Sequence, residues 1–286
     1  MLELHCHTTY SDGTLTPTQL VSRAVERGVK ALAITDHDTV AGWEAAIAAS
    51  QPYPDLEIVP GIELSTVCKG RSMHILGFYP NPKALQNPLK ERLAGRQRRA
   101  QAMAAKLAAL GYPIDLSGLP GDHAPGRPHI ASALVAAGHV QSSKEAFDRF
   151  IREDGPAYVP YEKFTAAEGI ALLRQCGAVP VWAHPYLFRG GTVPEVLPEL
   201  VKAGLMGVEV YHPNHSPSDQ RHLETLCQQY DLLVTGGSDY HGPPAQGKKD
   251  KHSDLNSLQV SLELLAPLKK AAASLQARQQ SRRPVG

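Results

Sequence analysis

Long apolar runs are missing from this chain. Nothing in it approaches the about 18 consecutive apolar residues that cross a bilayer, so no membrane span is expected. An excess of charge of one sign is missing too: 29 Lys and Arg stand against 28 Asp and Glu, a formal net charge of +1. No global field therefore advertises a nucleic acid or membrane partner, although a local basic patch is compatible with that balance. Cysteine is sparse, and Cys6, Cys68, Cys176 and Cys227 lie far apart without a C-x-x-C pair. That pattern reads as reduced thiols in a cytoplasm rather than a disulfide framework. Met1 runs straight into Leu-Glu-Leu-His, with neither a basic n-region nor an apolar h-region, so a cytoplasmic location without export is expected. Repeats and low-complexity tracts are absent as well.

What is present alternates. At 286 residues the chain can bury one large core, or one core with a small inserted lobe. Short β-rich apolar runs interleave with helical patterns, which points to an α/β fold with mostly parallel strands. Strands are expected at Leu2 to His5, Ala31 to Thr35, Glu57 to Val59, His74 to Phe78, Val179 to Ala183, Gly207 to Tyr211 and Leu232 to Thr235. Seven strands suit a smaller or distorted barrel better than a regular eightfold one. Thr16, Pro17 and Gln19 supply a capping box with proline at the first helical position, and Gly28 ends that helix.

Between Phe78 and Val179 the alternation stops for too long to be a plain connection. Helical patterns at Pro88 to Leu110, His129 to Ala137, Lys144 to Arg152 and Ala166 to Gln175 read as a helical domain inserted over 88–165. The last of those helices belongs with the barrel, which takes 1–87 and 166–286. Gly111 to Pro128 is expected to be loop, Gly242 to Ser253 mobile, and Leu262 to Gln280 a final helix.

Histidines and acids gather at the expected strand ends. His5 and His7 follow the first strand, Asp36, His37 and Asp38 the second, and Glu63 the third. His184 follows the fifth, His212 and His215 the sixth, and Asp239 and His241 the seventh. His74 opens the fourth strand instead of closing it, which demands a different entry angle or a shifted boundary. In a barrel of parallel strands these ends converge on one mouth. His5 and His7, two apart, project on one side of a strand, and Asp239 and His241 repeat the spacing. Cys6 would point away from both histidines. Any one of the 13 histidines is more often a hydrogen-bonded surface or core residue than a ligand. The set is different, because so many titratable groups in one mouth are costly without cations. Imidazoles with carboxylates suit Mn, Zn or Fe(II), and a carboxylate such as Glu63 can bridge two cations.

At these residues the chain resembles the polymerase and histidinol phosphatase (PHP) family, within the wider amidohydrolase-like enzymes. The resemblance is carried by Leu-His-Cys-His-Thr-Thr-Tyr-Ser-Asp-Gly (4–13), Ile-Thr-Asp-His-Asp (34–38) and Pro-Gly-Ile-Glu (60–63). It continues through His74, Ala-His-Pro (183–185) and Gly-Ser-Asp-Tyr-His (237–241). A branch with a helical insertion carrying Gly-Arg-Pro-His-Ile-Ala (126–131) is the most similar. It includes 3′,5′-nucleoside bisphosphate phosphatases and an exoribonuclease that trims RNA from its 5′ end. The resemblance implies a distorted (β/α)7 barrel with three divalent cations, manganese expected and zinc or Fe(II) admissible. It places one cation on His5, His7, Glu63 and Asp239, a second on Glu63, His74 and His184, and a third on Asp12, His37 and His241. No ligand position is missing. By spacing alone Asp12 would be a turn residue.

The expected reaction is hydrolysis of the 3′-phosphate of a nucleoside 3′,5′-bisphosphate by a hydroxide bridging two cations, in line with the leaving ribose oxygen. Arg127 is expected to clamp a phosphate through its planar fork, close to the start of a helix. His129 would orient a phosphate or protonate the leaving oxygen. Asn214 and His215 are candidates for contacts with base, ribose or phosphate. Arg92, Arg96, Arg98, Arg99 and Lys106 make one helix basic, and such runs are mostly solvated faces. Short RNA is the competing substrate, but aromatics at 6% are few for a stacking groove, which favours the small molecule. A histidinol-phosphate-type monoester is a further enzymatic reading, and a non-enzymatic module with a vestigial site is the reading outside catalysis. No membrane and no obligate protein partner are inferred.

Overall fold

The computed structural model describes residues 1–118, 123–243 and 254–280. Its seven strands are β1 (Leu2–Glu3), β2 (Ala31–Ile34), β3 (Glu57–Cys68), β4 (Arg71–Phe78), β5 (Val179–Trp182), β6 (Gly207–Tyr211) and β7 (Leu233–Gly236). They lie side by side in chain order. β1 to β3 run parallel, as do β5 to β7, whereas β4 is antiparallel to both of its neighbours. That reversal resolves the placing of His74. In an antiparallel strand the beginning, not the end, lies at the mouth. β3 also runs on past the expected Val59 to Cys68, pairing with β4 as a hairpin.

The sheet curls into a nearly closed barrel. Leu4 N donates to Gly236 O at 3.2 Å and His7 N to Tyr240 O at 2.9 Å, while Tyr240 N donates to His5 O at 3.2 Å. Glu3 reinforces this seam from beneath. Its buried carboxylate accepts from Ser238 N (3.0 Å), Ser238 Oγ (2.7 Å) and Asn256 N (3.0 Å). Burial pushes its pKa up to about 7 against those donors.

Helices cover the wall. α1 (Pro17–Glu26) carries the expected capping box, with Thr16 and Gln19 bonding reciprocally, and Gly28 follows its end at φ 72°. With α2 (Trp43–Ser50), α6 (Ala166–Gln175), α7 (Val193–Ala203) and α8 (Pro217–Tyr230), it packs on the outer sheet face. Leu20, Val21, Ile170, Leu173, Val196 and Leu223 meet Leu32, Ile34, Ile62, Ile75, Trp182 and Val208 there. The inner face packs Leu2, Ala31, Val59, Phe78 and Val179 against Leu265, Leu268, Ala272 and Leu275 of α9 (Leu265–Gln280). Those barrel residues sit at the end away from the histidines, so α9 is a stopper at the bottom.

α3 (Pro82–Ala109) starts six residues before the expected Pro88. The real start signal is Asn81, whose side chain accepts from Lys83 N and Ala84 N just before Pro82. Pro88 is tolerated inside the helix while Leu85 and Leu89 bury against the barrel. The expected boundary at residue 88 thus falls within one continuous helix. Farther along, Ala100, Met103 and Leu107 join Ile130 and Leu134 of α4 (Arg127–Ala136) in a separate apolar cluster. Ala146 of α5 (Ser143–Ala146) and the following π-helical turn Phe147–Ile151 complete this lobe. A regular helix to Arg152 was expected there. The stretch expected as loop, Gly111 to Pro128, has no regular element over its described residues as far as Gly126, but Arg127 and Pro128 already belong to α4. The segment expected to be mobile lies mostly outside the described residues.

The closing seam allows no extra atom at Gly237, where an added Cβ would sit 2.5 Å from His5 N and 2.6 Å from His5 Cβ. Gly237→Ala should therefore cost about 1–3 kcal/mol by overpacking. A urea titration would register this as a lower midpoint at an unchanged m-value.

Candidate metal centre

β3 carries Glu63 into the mouth with its side chain 1% exposed, and imidazoles surround it. Its Oε2 lies 3.3 Å from His5 Nε2, 3.2 Å from His7 Nε2 and 3.1 Å from His37 Nδ1. Its Oε1 lies 2.8 Å from His74 Nδ1 and 3.2 Å from His184 Nε2. Two acids flank this centre. Asp239 Oδ1 is 3.4 Å from His5 Nε2 and 3.1 Å from His7 Nε2. Asp12 lies 3.6 Å from His7 Nδ1, 3.8 Å from His37 Nε2 and 3.3 Å from His241 Nε2.

Three overlapping groups bring their ligand-type atoms within 4.8 Å of one another. They are His5, His7, Glu63 and Asp239, then His7, Asp12, His37 and His241, and last His37, Glu63 and His74. The first agrees with the set implied by the resemblance, and the second adds His7 to it. In the third, His37 takes the place expected for His184, which instead approaches the same Glu63 oxygen as His74. All nine expected ligands converge on one mouth.

Cations suit this geometry. His5 Nε2, His7 Nε2, Asp12 Oδ1, His37 Nδ1 and His74 Nδ1 are buried, and none has a hydrogen-bond partner among the described residues. These ligand-type atoms crowd a shared space without satisfying one another, which a divalent ion, displacing any protons they hold, would relieve. Outer partners fix the rings. His5 Nδ1 bonds Glu209 Oε1 at 2.9 Å, His7 Nδ1 meets Ser11 Oγ at 3.3 Å, and His241 Nδ1 donates to Asp239 O at 2.8 Å. Asp36 in turn accepts from Ser11 Oγ and from Thr8, so it supports the cluster from behind. Cys6 faces away, its thiol 3.8 Å from Glu3.

Electrostatics follow from the crowding. Burial opposes charge on Glu63, but His37, His74 and His5 hold its carboxyl well below the usual range. Asp12 is held low against burial by His37 and His241, and Asp239 by His5 and His241. Burial depresses His7, yet Asp239, Glu63 and Asp12 outweigh it and raise its pKa to about 10. The backbone is strained at the same place: Asp38 and Asp239 take φ 52° and His184 φ 32°, in the left-handed region.

The lobe leans on this centre through one turn. A Cβ on Gly126 would stand 3.4 Å from Asp12 Oδ2 and 3.7 Å from Arg96 Nη1. Arg96, expected on a solvated face, is 2% exposed. It donates from Nε to Asp38 Oδ2 at 2.5 Å, from Nη1 to Pro125 O at 3.2 Å, and from Nη2 to Ser65 Oγ. Arg99 is likewise buried, stacked 3.9 Å over Tyr161 and donating to Val159 O, with Nη2 unpartnered. Arg98 and Lys106 are on the exposed face, as expected. Among the described residues no carboxylate lies within 4.0 Å of Arg99 or Arg127. Arg127 instead sits 5.6 Å from the Phe147 ring and 5.9 Å from that of Tyr158. His129 Nδ1 accepts from Gly126 N at 3.0 Å. Asn214 is exposed beside the mouth, whereas His215 is buried.

Sequence reading missed Glu209 and the burial of Arg96 and Arg99. Glu209 had a signal: it is the lone charge in the apolar strand Gly-Val-Glu-Val-Tyr. His212, seen at a strand end but outside the expected ligand set, approaches Asp239 Oδ2 at 3.6 Å.

Known proteins share this architecture. The PHP domain profile matches residues 3–112. A 5′-3′ exoribonuclease of Haemophilus influenzae is 34% identical over 263 residues, 88% of this chain and 94% of that protein. A 3′,5′-nucleoside bisphosphate phosphatase of Chromobacterium violaceum is 30% identical over 262 residues, 88% and 91% of the two chains. The crystal structure of a Bifidobacterium adolescentis protein described as a metal-dependent phosphoesterase superposes with a TM-score of 0.84 at 33% identity. That match covers 94% of this chain and 96% of the other. With a barrel of the same form and a mouth lined by metal-type ligands, the chain belongs to the PHP domain family of metal-dependent phosphoesterases.

Proposed function

We propose that this chain removes the 3′-phosphate of nucleoside 3′,5′-bisphosphates, leaving the 5′-nucleotide. The observation that carries the reading is the Gly126 turn seated on Asp12, which brings the start of α4, where Arg127 stands, against one of the candidate metal ligands. A substrate with two phosphates matches such a mouth, one phosphate for the cluster and one for a guanidinium that has no acidic partner among the described residues. Three divalent cations are assigned, with manganese as the expected metal. His5, His7, Glu63 and Asp239 would hold one, Glu63, His74 and His184 a second, and Asp12, His37 and His241 the third. Bound there, the cations supply an activated water and neutralise charge on the phosphoryl oxygens.

The chain's own groups then bind and orient. Arg127 grips the non-reacting phosphate with its fork, aided by the first turn of α4, which contains no acidic residue. His129 keeps its proton on Nε2 because Nδ1 accepts from Gly126 N. Burial lowers its pKa, so it serves as a neutral donor to a phosphate oxygen. His215 is fixed through Nδ1 to Val210 O at 2.8 Å, and its buried Nε2 suits a substrate hydroxyl. Asn214 is the exposed amide at the same strand end and is read as a ribose or base contact. The lobe over 88–165 is the recognition domain in this scheme. A second reading, cleavage of short 5′-phosphorylated RNA, draws support from the relative named as a 5′-3′ exoribonuclease.

Phosphate release by manganese-loaded protein tests the proposal on adenosine 3′,5′-bisphosphate, 3′-AMP, 5′-AMP, histidinol phosphate and a 5′-phosphorylated oligoribonucleotide. Fast release from the bisphosphate with 5′-AMP left intact is expected. Nucleotides released from RNA alone would give the exoribonuclease reading instead.

Glu209→Gln should lower metal affinity or turnover by about 10- to 100-fold, because its two oxygens accept from His5 Nδ1 and His184 N, and the amide leaves only one acceptor and no charge to hold them. Metal titration of the variant by atomic spectroscopy measures this.

Protons compete with cations at His7. With its pKa raised to about 10, metal-free His7 is an imidazolium at neutral pH, so metal uptake must expel its proton. Apparent metal affinity should therefore climb as pH rises and weaken towards acid. Acidification of an unbuffered solution on adding Mn²⁺ would register the released protons, and uptake without acidification would contradict this assignment.

A further inference from the structure

The chain leaves His184 through a 3-10 turn over Pro185–Leu187. Tyr186 there is 36% exposed and Leu187 42%. Exposed tyrosines are common and most need no special account. Tyr186 differs because it is held in place. Its hydroxyl hydrogen-bonds with His222 Nδ1 at 2.6 Å. Its ring meets that of the buried His215 nearly edge-on, with centroids 5.5 Å apart and planes at 74°. His215 is itself fixed to Val210 O and stands 5.1 Å from His212. The left-handed backbone of His184 sets the direction in which the turn leaves β5. An aromatic ring is thus ordered in advance, two residues from an imidazole 3.2 Å from Glu63 Oε1.

We propose that Tyr186 is the platform on which the nucleobase of the substrate stacks, an inference that rests on the nucleotide reading above. A ring already fixed by its neighbours loses little freedom when a ligand arrives, so more of the stacking energy appears as affinity. Stacking is tolerant of sequence, because every base has a π-face. Recognition of this kind accepts adenine, guanine, cytosine and uracil alike and rejects a sugar bisphosphate that has no base. Tyr186 is in this sense a specificity-determining residue rather than a catalytic one.

The test compares wild type, Tyr186→Ala and Tyr186→Phe, each confirmed folded and metal-loaded, on adenosine 3′,5′-bisphosphate and on its abasic ribose analogue. Removing a base stack costs about 5- to 150-fold in affinity. Tyr186→Ala is expected to raise KM for the nucleotide by about 10-fold or more, with kcat and the abasic reaction changing by less than about threefold. Tyr186→Phe, which keeps the ring, should recover most of the loss. An equal loss on the abasic substrate, or a Phe variant as impaired as the Ala variant, would overturn the platform. Binding is followed separately by the fluorescence of 2-aminopurine riboside 5′-monophosphate, which stacking quenches. Quenching lost in the Ala variant and retained in the Phe variant supports the platform even if no nucleotide is hydrolysed, an outcome that would sink only the reaction assigned above. Quenching undiminished in the Ala variant overturns the platform whatever the activity.

Discussion

Two oxygens of Glu63 face five imidazole nitrogens in a nearly dry pocket, and the rest of the mouth is arranged to make that bearable. Charges taken out of water are expensive unless opposite charge or hydrogen bonds replace the solvent. Here Asp12 and Asp239 supply further negative charge, and Glu209, Ser11 and Asp36 hold the rings from outside. Without cations, protons fill the role of counter-charge, as the raised His5 and His7 show. Left-handed backbone at Asp38, His184 and Asp239 is the local strain that this convergence requires.

The barrel makes the convergence possible. Parallel strands deliver side chains to one end, and the reversed β4 delivers His74 to the same end from its first half. α9 closes the other end with leucines, and Glu3 locks β1 to the segment after β7. A rigid frame matters here because metal-type ligands tolerate little displacement.

Much of this was legible in the residues. Histidines at strand ends, the Thr16 capping box and the Val179, Gly207 and Leu233 strands follow from local pattern, which depends only on near neighbours in the chain. The direction of β4 was not, since an apolar run reads the same both ways and only its pairing with β3 fixes it. Nor was the burial of Arg96 and Arg99, because a basic helix face gives no sign that a barrel edge and a tyrosine will cover it. Glu209 stood in plain view as a charge within an apolar strand. Its partner, His5, lies 204 residues away. The early start of α3 was masked by Pro88, which mimics a helix beginning although Asn81 provides the true one.

The reversed strand has a consequence for α3. Because the chain leaves β4 at the bottom, α3, a single helix of 28 residues and about 42 Å, climbs the barrel wall with its first half and carries the lobe cluster on its second. Leu85 and Leu89 seat its lower half and Arg96 locks its upper half to Asp38. This shaft behaves like a keyed axle: one residue added or lost between those two anchors would turn everything above by about 100° and shift it by about 1.5 Å. A change in the loops that the axle carries leaves this register untouched, whereas a change in its length between the anchors re-aims the whole lobe at once.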